Sequence, residues 1–79
     1  MSGLVYVTTD DCHLCEHGRR VLDSLGVARA EIAADSAEAG ALAERGIPLG
    51  FLPVLTDGAR VVAYGRFSAR RLRKELRLG

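Results

Sequence analysis

Leu4-Val5-Tyr6-Val7-Thr8-Thr9-Asp10-Asp11-Cys12-His13-Leu14-Cys15 is the stretch on which the reading of this chain turns. Leu4 to Val7 is a short run of β-forming residues, and Thr8-Thr9-Asp10-Asp11 reads as a strand leaving a core and turning towards a helix start, with the two carboxylates as candidate caps. Beyond it Leu14, Gly18, Val21, Leu22 and Leu25 recur at helical spacing, and Gly26 stands where a left-handed cap belongs. That pattern predicts a helix from about Cys12 to Leu25, so both cysteines fall at a strand-to-helix junction.

Working outward, Arg29 to Ala33 is a weak second strand. Asp35 and Glu38 have capping-box spacing, and Ala39, Leu42, Ala43 and Gly46 share one face of a short second helix. Pro48 and Pro53 punctuate a loop over Gly46 to Leu52. Two apolar segments then flank Asp57-Gly58, a hairpin signal. Ser68 can cap a last helix with Ala69, Leu72 and Leu76 on one side and Arg70, Arg71, Arg73, Lys74 and Arg77 around much of the rest. The order is βαβαββα. An early βαβ unit implies a parallel strand pair and the terminal hairpin adds antiparallel strands, so the fold class is α/β, a mixed four-stranded sheet with helices on both faces. Residues 1–79 read as a single domain without repeats or linkers.

Composition agrees with a folded chain, with 48% apolar and 27% charged residues among 79. A domain this small buries only about 60% of its unfolded surface, so its core has little to spare. Met1-Ser2-Gly3 leads directly into the first strand, without the basic start and apolar run of an export signal, and no stretch approaches a membrane span. The expected compartment is a reducing cytoplasm, where a cysteine pair is more often catalytic or metal-binding than structural. Charge is unevenly spread: of 11 Lys and Arg, Arg66, Arg70, Arg71, Arg73, Lys74 and Arg77 all follow position 65, against Glu75 alone.

Residues three apart on a helix have Cβ atoms about 5–6 Å apart, within reach of a disulfide. A loop of about four residues stabilises a fold by only roughly 2 kcal/mol when closed, which makes a purely structural staple the poorer explanation. At the helix N-terminus, free N–H groups and the dipole favour the Cys12 thiolate, making Cys12 the candidate nucleophile. Cys15, one turn deeper, is placed to resolve a mixed disulfide on Cys12. A protonated His13 would add positive charge beside Cys12, whereas Asp10 and Asp11 act in the opposite sense.

Other readings of the pair remain open to different degrees. A c-type haem site needs histidine where Glu16 stands, which removes it. Zinc has Cys12, Cys15, His13 and His17 nearby, but structural zinc takes four ligands and there is no second cysteine pair. An iron-sulfur cluster shared between two subunits, completed by outside thiols, and a redox-inert interaction module both survive as alternatives.

Cys-x-x-Cys at a strand-to-helix junction, Leu52-Pro53-Val54-Leu55 some way downstream, and the βαβαββα order together resemble the glutaredoxin branch of the thioredoxin superfamily. Cys12-His13-Leu14-Cys15 is most similar to the short bacterial glutaredoxin-like proteins with Cys-x-Leu-Cys. The resemblance spans the chain. It implies the thioredoxin fold, a redox-active disulfide used for electron transfer in cell redox homeostasis, and a cis Leu52-Pro53 bond lying against Cys12. The main chain of Leu52 would then pair with an extended substrate. Glutathione-using relatives carry a lysine before the first cysteine and a Gly-Gly turn followed by an acid, where this chain has Thr8-Thr9-Asp10-Asp11 and Tyr64-Gly65-Arg66-Phe67-Ser68. Glutathione is therefore the weaker expectation, with Gly65, Ser68 and Arg66 as the groups that remain to meet a carboxylate or main chain.

The expected activity is thiol-disulfide oxidoreduction at Cys12 and Cys15, with His13, Leu52, Pro53, Gly65 and Arg66 as substrate contacts, no metal and no bound cofactor. The expected partners are a disulfide-containing protein and an upstream thiol reductant or reductase, the chain acting as a monomer without nucleic acid or membrane. The basic C-terminal end reads first as a solvated helix face that complements the helix dipole, and otherwise as a patch that steers an acidic partner. Tyr6, Phe51 and Phe67 read as core or site-wall residues, and Tyr64 as a substrate contact.

Overall fold

Tyr6 and Val7 point to opposite sides of one strand and both are fully buried, so the sheet is covered on both faces. The structure, a computed structural model, describes residues 3–58 and 60–78. Its elements are β1 (Leu4–Thr8), α1 (His13–Ser24), β2 (Ala30–Ala33), α2 (Ala37–Glu44), β3 (Val54–Asp57), β4 (Arg60–Tyr64) and α3 (Ala69–Glu75). The sheet order is β2-β1-β3-β4, with β1 parallel to β2 and the other pairs antiparallel. This is the mixed α/β sheet that the order of elements predicts.

One core joins Tyr6, Leu55 and Val62 to Leu22 of α1, Leu72 of α3 and Phe67. The other joins Val7 and Val54 to Ala39 and Leu42 of α2 and to Ile47. Thus α1 and α3 cover one face and α2 the other. Among the described residues, no helix is long and apolar enough to cross a membrane.

Local signals misplace several details. Asp35 does not cap α2: Ser36 takes the N-cap, its Oγ accepting the Ala39 N–H at 3.2 Å while donating to the Ala33 carbonyl at 2.6 Å. A hydroxyl that donates and accepts closes this turn better than an acceptor-only carboxylate. Ala43 and Gly46 are exposed, because α2 buries only the narrow stripe of Ala39 and Leu42. Asp57 is the last residue of β3, paired with Arg60, and Gly58 follows it in the turn with φ 63°, so the Asp57-Gly58 hairpin signal falls one residue early; residue 59 lies outside the described residues. Leu14 is exposed rather than in the core, since Cys15, Gly18 and Leu22 form the inward stripe of α1.

Candidate active site

Cys12 itself is the N-cap of α1. Its backbone is extended, its carbonyl accepts the Glu16 N–H at 3.1 Å, and its Sγ accepts the Cys15 N–H at 3.1 Å. The sulfur therefore occupies the place of a capping oxygen, among helix N–H groups that favour negative charge. Neither Asp10 nor Asp11 caps the helix. Instead Asp11 has φ 53°, in the left-handed region that Asp tolerates better than most side chains, and this reversal delivers the chain from β1 to Cys12.

Cys12 and Cys15 form a disulfide with Cα atoms 5.1 Å apart, well within ordinary bridging distance. Cys12 is half-buried, whereas Cys15 is 1% exposed. Of the two cysteines Cys12 is thus the more accessible. His13 is fully exposed, with Nδ1 3.8 Å from the Glu16 carboxylate, so the carboxylate beside it offsets any positive charge that it brings.

Leu52-Pro53 is a cis peptide bond, as the resemblance implies. Pro53 is buried and its carbonyl accepts the Gly65 N–H at 2.8 Å, which fastens the β4–α3 connection to the Pro53 loop. Gly65 meets this bond with φ 68° and spends its N–H on it. Among the described residues, the main chain of Leu52 makes no backbone hydrogen bond. Ser68 Oγ is likewise engaged, accepting the Arg71 N–H at 3.3 Å as the N-cap of α3. Arg66 is exposed and, among the described residues, forms no salt bridge. Phe51 and Tyr64, 69% and 60% exposed with centroids 6.0 Å apart, form a pair, Phe51 two residues before Pro53 and Tyr64 at the end of β4 next to Gly65. Phe51 is thus surface rather than core, while Phe67 and Tyr6 are buried. Among the described residues no group of three or more His, Cys, Asp or Glu could hold a metal ion.

Beneath the disulfide lies a contact that residue spacing does not announce. The Tyr6 hydroxyl, from the middle of β1, donates to the Cys15 carbonyl at 2.7 Å, and the Tyr6 ring meets Phe67 edge-on at 5.5 Å. The Phe67 carbonyl in turn lies 3.2 Å from His17 Nε2. The first turns of α1, the sheet and the β4–α3 connection are thereby joined through side chains. A tyrosine flanked by Leu4, Val5 and Val7 was the available signal, since its hydroxyl requires a partner once buried.

Burial pushes the Tyr6 hydroxyl up to about 12 from its ordinary 10.0, against the opposing pull of Arg19. The folded state therefore keeps a proton that the unfolded chain gives up first. Stability from this group is complete below pH 10 and is lost as pH rises from 10 towards 12, by roughly 2–3 kcal/mol over that window. Urea unfolding of the oxidised protein across pH 9 to 12 should show this fall, and Tyr6→Phe should remove that part of the slope.

No family model matches the chain, and no curated protein matches it. Among solved structures it is similar to the glutaredoxin-like protein NrdH-redoxin from Escherichia coli, whose structure was solved to explain a thioredoxin-like activity profile. The similarity covers 90% of this chain and 91% of that one, at a TM-score of 0.67 and 22% identity. With a mixed four-stranded sheet, helices on both faces and a Cys-x-x-Cys pair opening α1, the chain has the thioredoxin-like fold as a glutaredoxin-like protein carries it.

Proposed function

We propose that the chain is a dithiol-disulfide oxidoreductase that reduces protein or low-molecular-weight disulfides. The observation that carries this reading is the half-buried Cys12 sulfur at the N-cap of α1, closed onto the buried Cys15 one turn further on. In the reduced protein the Cys12 thiolate attacks one sulfur of the substrate disulfide; that bond breaks, and the departing thiolate takes a proton from solvent. Cys15, losing its proton, then attacks the Cys12 sulfur, expels the second substrate thiol and leaves the Cys12–Cys15 disulfide. Two electrons pass to the substrate, and an external thiol reductant restores the dithiol.

Recognition rests on the main chain of Leu52 beside Pro53, with exposed His13 next to Cys12 in sequence, exposed Arg66 and Gly65 holding the loop. The protein acts as a monomer in the cytoplasm without a bound cofactor. Because NrdH-redoxin has a thioredoxin-like activity profile, a reductase of the thioredoxin type is preferred here to glutathione as the electron source. The replacement of the lysine and of the Gly-Gly-acid turn points the same way.

Equilibration in defined thiol-disulfide buffers, with free thiols counted by alkylation and intact mass, tests the proposal before any substrate is known. A reversible two-electron transition between about −180 and −280 mV is expected, the span of disulfide isomerase, glutaredoxins and thioredoxin. A disulfide that never forms, or one that resists reduction below about −300 mV, would overturn the catalytic reading.

A further inference from the structure

β4 is an edge strand, so its outer main chain has no partner in the sheet. Along it runs a groove of about 480 Å³, lined on one side by residues 61–64 and on the other by Ser68, Arg71 and Glu75 of the α3 region. Consecutive strand residues line the groove, together with Leu72 of α3, which places it where α3 packs beside the edge strand. Arg66 and Phe67 of the β4–α3 connection also line it. That connection is also the segment fastened to the dithiol site, through Gly65 N–H to the Pro53 carbonyl and His17 to the Phe67 carbonyl.

The charge of this region is uncompensated. Arg66, Arg70, Arg71, Arg73, Lys74 and Arg77 are all exposed, and among the described residues none of them is in a salt bridge. Arg19 and Arg29 differ, being held by Glu31 and Asp23. Glu75, the acid in the groove, is already taken by Arg60 at 3.8 Å. A helix dipole is complemented by cations in its last turn, which accounts for Arg73 and Lys74 but not for Arg71 in the first turn of α3 or Arg66 before its N-cap.

We infer that this groove receives an extended acidic segment of the partner protein, flanking the disulfide that the partner presents to Cys12. The inference rests on the oxidoreductase reading and adds the substrate's charge and the direction in which its chain leaves the site. The open strand edge supplies main-chain pairing, and Arg66 and Arg71 supply the preference for Asp and Glu. A strand edge suits a polypeptide better than a nucleic acid, which has no matching main-chain row.

The test uses two synthetic peptides with the same disulfide loop, one flanked by Glu and one by Lys, and the neutral bis(2-hydroxyethyl) disulfide as the reporter of dithiol chemistry. Wild-type protein should reduce the Glu-flanked peptide with kcat/KM roughly tenfold above the Lys-flanked one at low salt, a preference that fades towards parity near ~0.5 M salt. Arg66→Glu with Arg71→Glu should invert the preference. Arg70→Glu with Arg73→Glu makes the same change in net charge outside the groove and should alter it less than about threefold. Equal loss in the two double variants would overturn the groove in favour of diffuse steering. Parity in the wild type, with the neutral disulfide still reduced, would overturn the inference while sparing the dithiol reading. If the neutral disulfide is not reduced, the dithiol reading fails, and fluorescence anisotropy with cysteine-free versions of the same peptides decides the groove alone. Tighter binding of a single-stranded oligonucleotide than of the acidic peptide in that titration overturns it as well.

Discussion

Cys12→Ser lowers disulfide reduction on the order of 1000-fold or more, because a serine hydroxyl is barely ionised near neutral pH and cannot form the sulfur-sulfur bond of the mixed intermediate. The fold should tolerate the change. A serine oxygen at the N-cap accepts the same Cys15 N–H that Sγ accepts now, and serine is a good cap. Urea unfolding of reduced wild type and variant should therefore nearly superimpose while activity differs by orders of magnitude. Cys15→Ser behaves differently: the attack by Cys12 proceeds, resolution does not, and the protein accumulates with substrate covalently attached. Intact mass before and after reductant separates the two variants. Trapped partners on Cys15→Ser would also name the natural substrate. A Cys12→Ser protein that keeps its full activity would turn the pair into a bystander and favour an interaction module instead.

The placement of the two cysteines was legible because it depends on local rules. Spacing puts the cysteines one turn apart, the β-run before them places that turn at a strand's end, and the downstream apolar periodicity makes it the start of a helix. The order of strands and helices follows from the same periodicities, which is why β1 to α3 appear close to where the pattern puts them. Capping was read less well. Asp10, Asp11 and Asp35 belong to the residue types that cap helices, yet the caps are Cys12 and Ser36, because the turn geometry decides which neighbour faces the free N–H groups. What the pattern cannot carry is contact between elements. The Tyr6 hydroxyl reaches the Cys15 carbonyl only because α1 crosses over β1 at one depth, and that depth is set by packing throughout the first core. Likewise the arginines of α3 are visible as a charge run, while the groove beside them exists only once β4 is known to be the edge.

Gly18→Ala is expected to destabilise the protein by about 2 kcal/mol, against the sign that helix propensity predicts. In a helix interior, alanine is preferred to glycine by about 1 kcal/mol. Here, however, a Cβ at position 18 would overlap the Tyr6 hydroxyl and would lie 3.2 Å from Phe67 Cδ2 and 3.3 Å from Tyr6 Cζ. The hydroxyl sits at the end of a rigid, fully buried ring pinned to the Cys15 carbonyl, so it cannot swing aside as an exposed side chain would. Either α1 lifts from the sheet, at an overpacking cost of about 1–3 kcal/mol, or the hydroxyl loses its partner at a similar cost. Tyr6→Phe removes the obstacle. Alone it should cost about 1 kcal/mol for the lost hydrogen bond, since the Cys15 carbonyl keeps its place in the helical ladder. Combined with Gly18→Ala it leaves contacts that need to yield by only a few tenths of an ångström, so the double variant should be more stable than Gly18→Ala alone. A coupling of about 1–2 kcal/mol from chemical denaturation of the four proteins would establish that Tyr6 sets how closely α1 approaches the sheet. Additive losses would place the intolerance of position 18 with Phe67 instead. Because Cys12 and Cys15 open the same helix, the height at which Tyr6 holds α1 is also the height at which the disulfide stands over the sheet, so the variant with the lifted helix should lose reduction rate in step with stability.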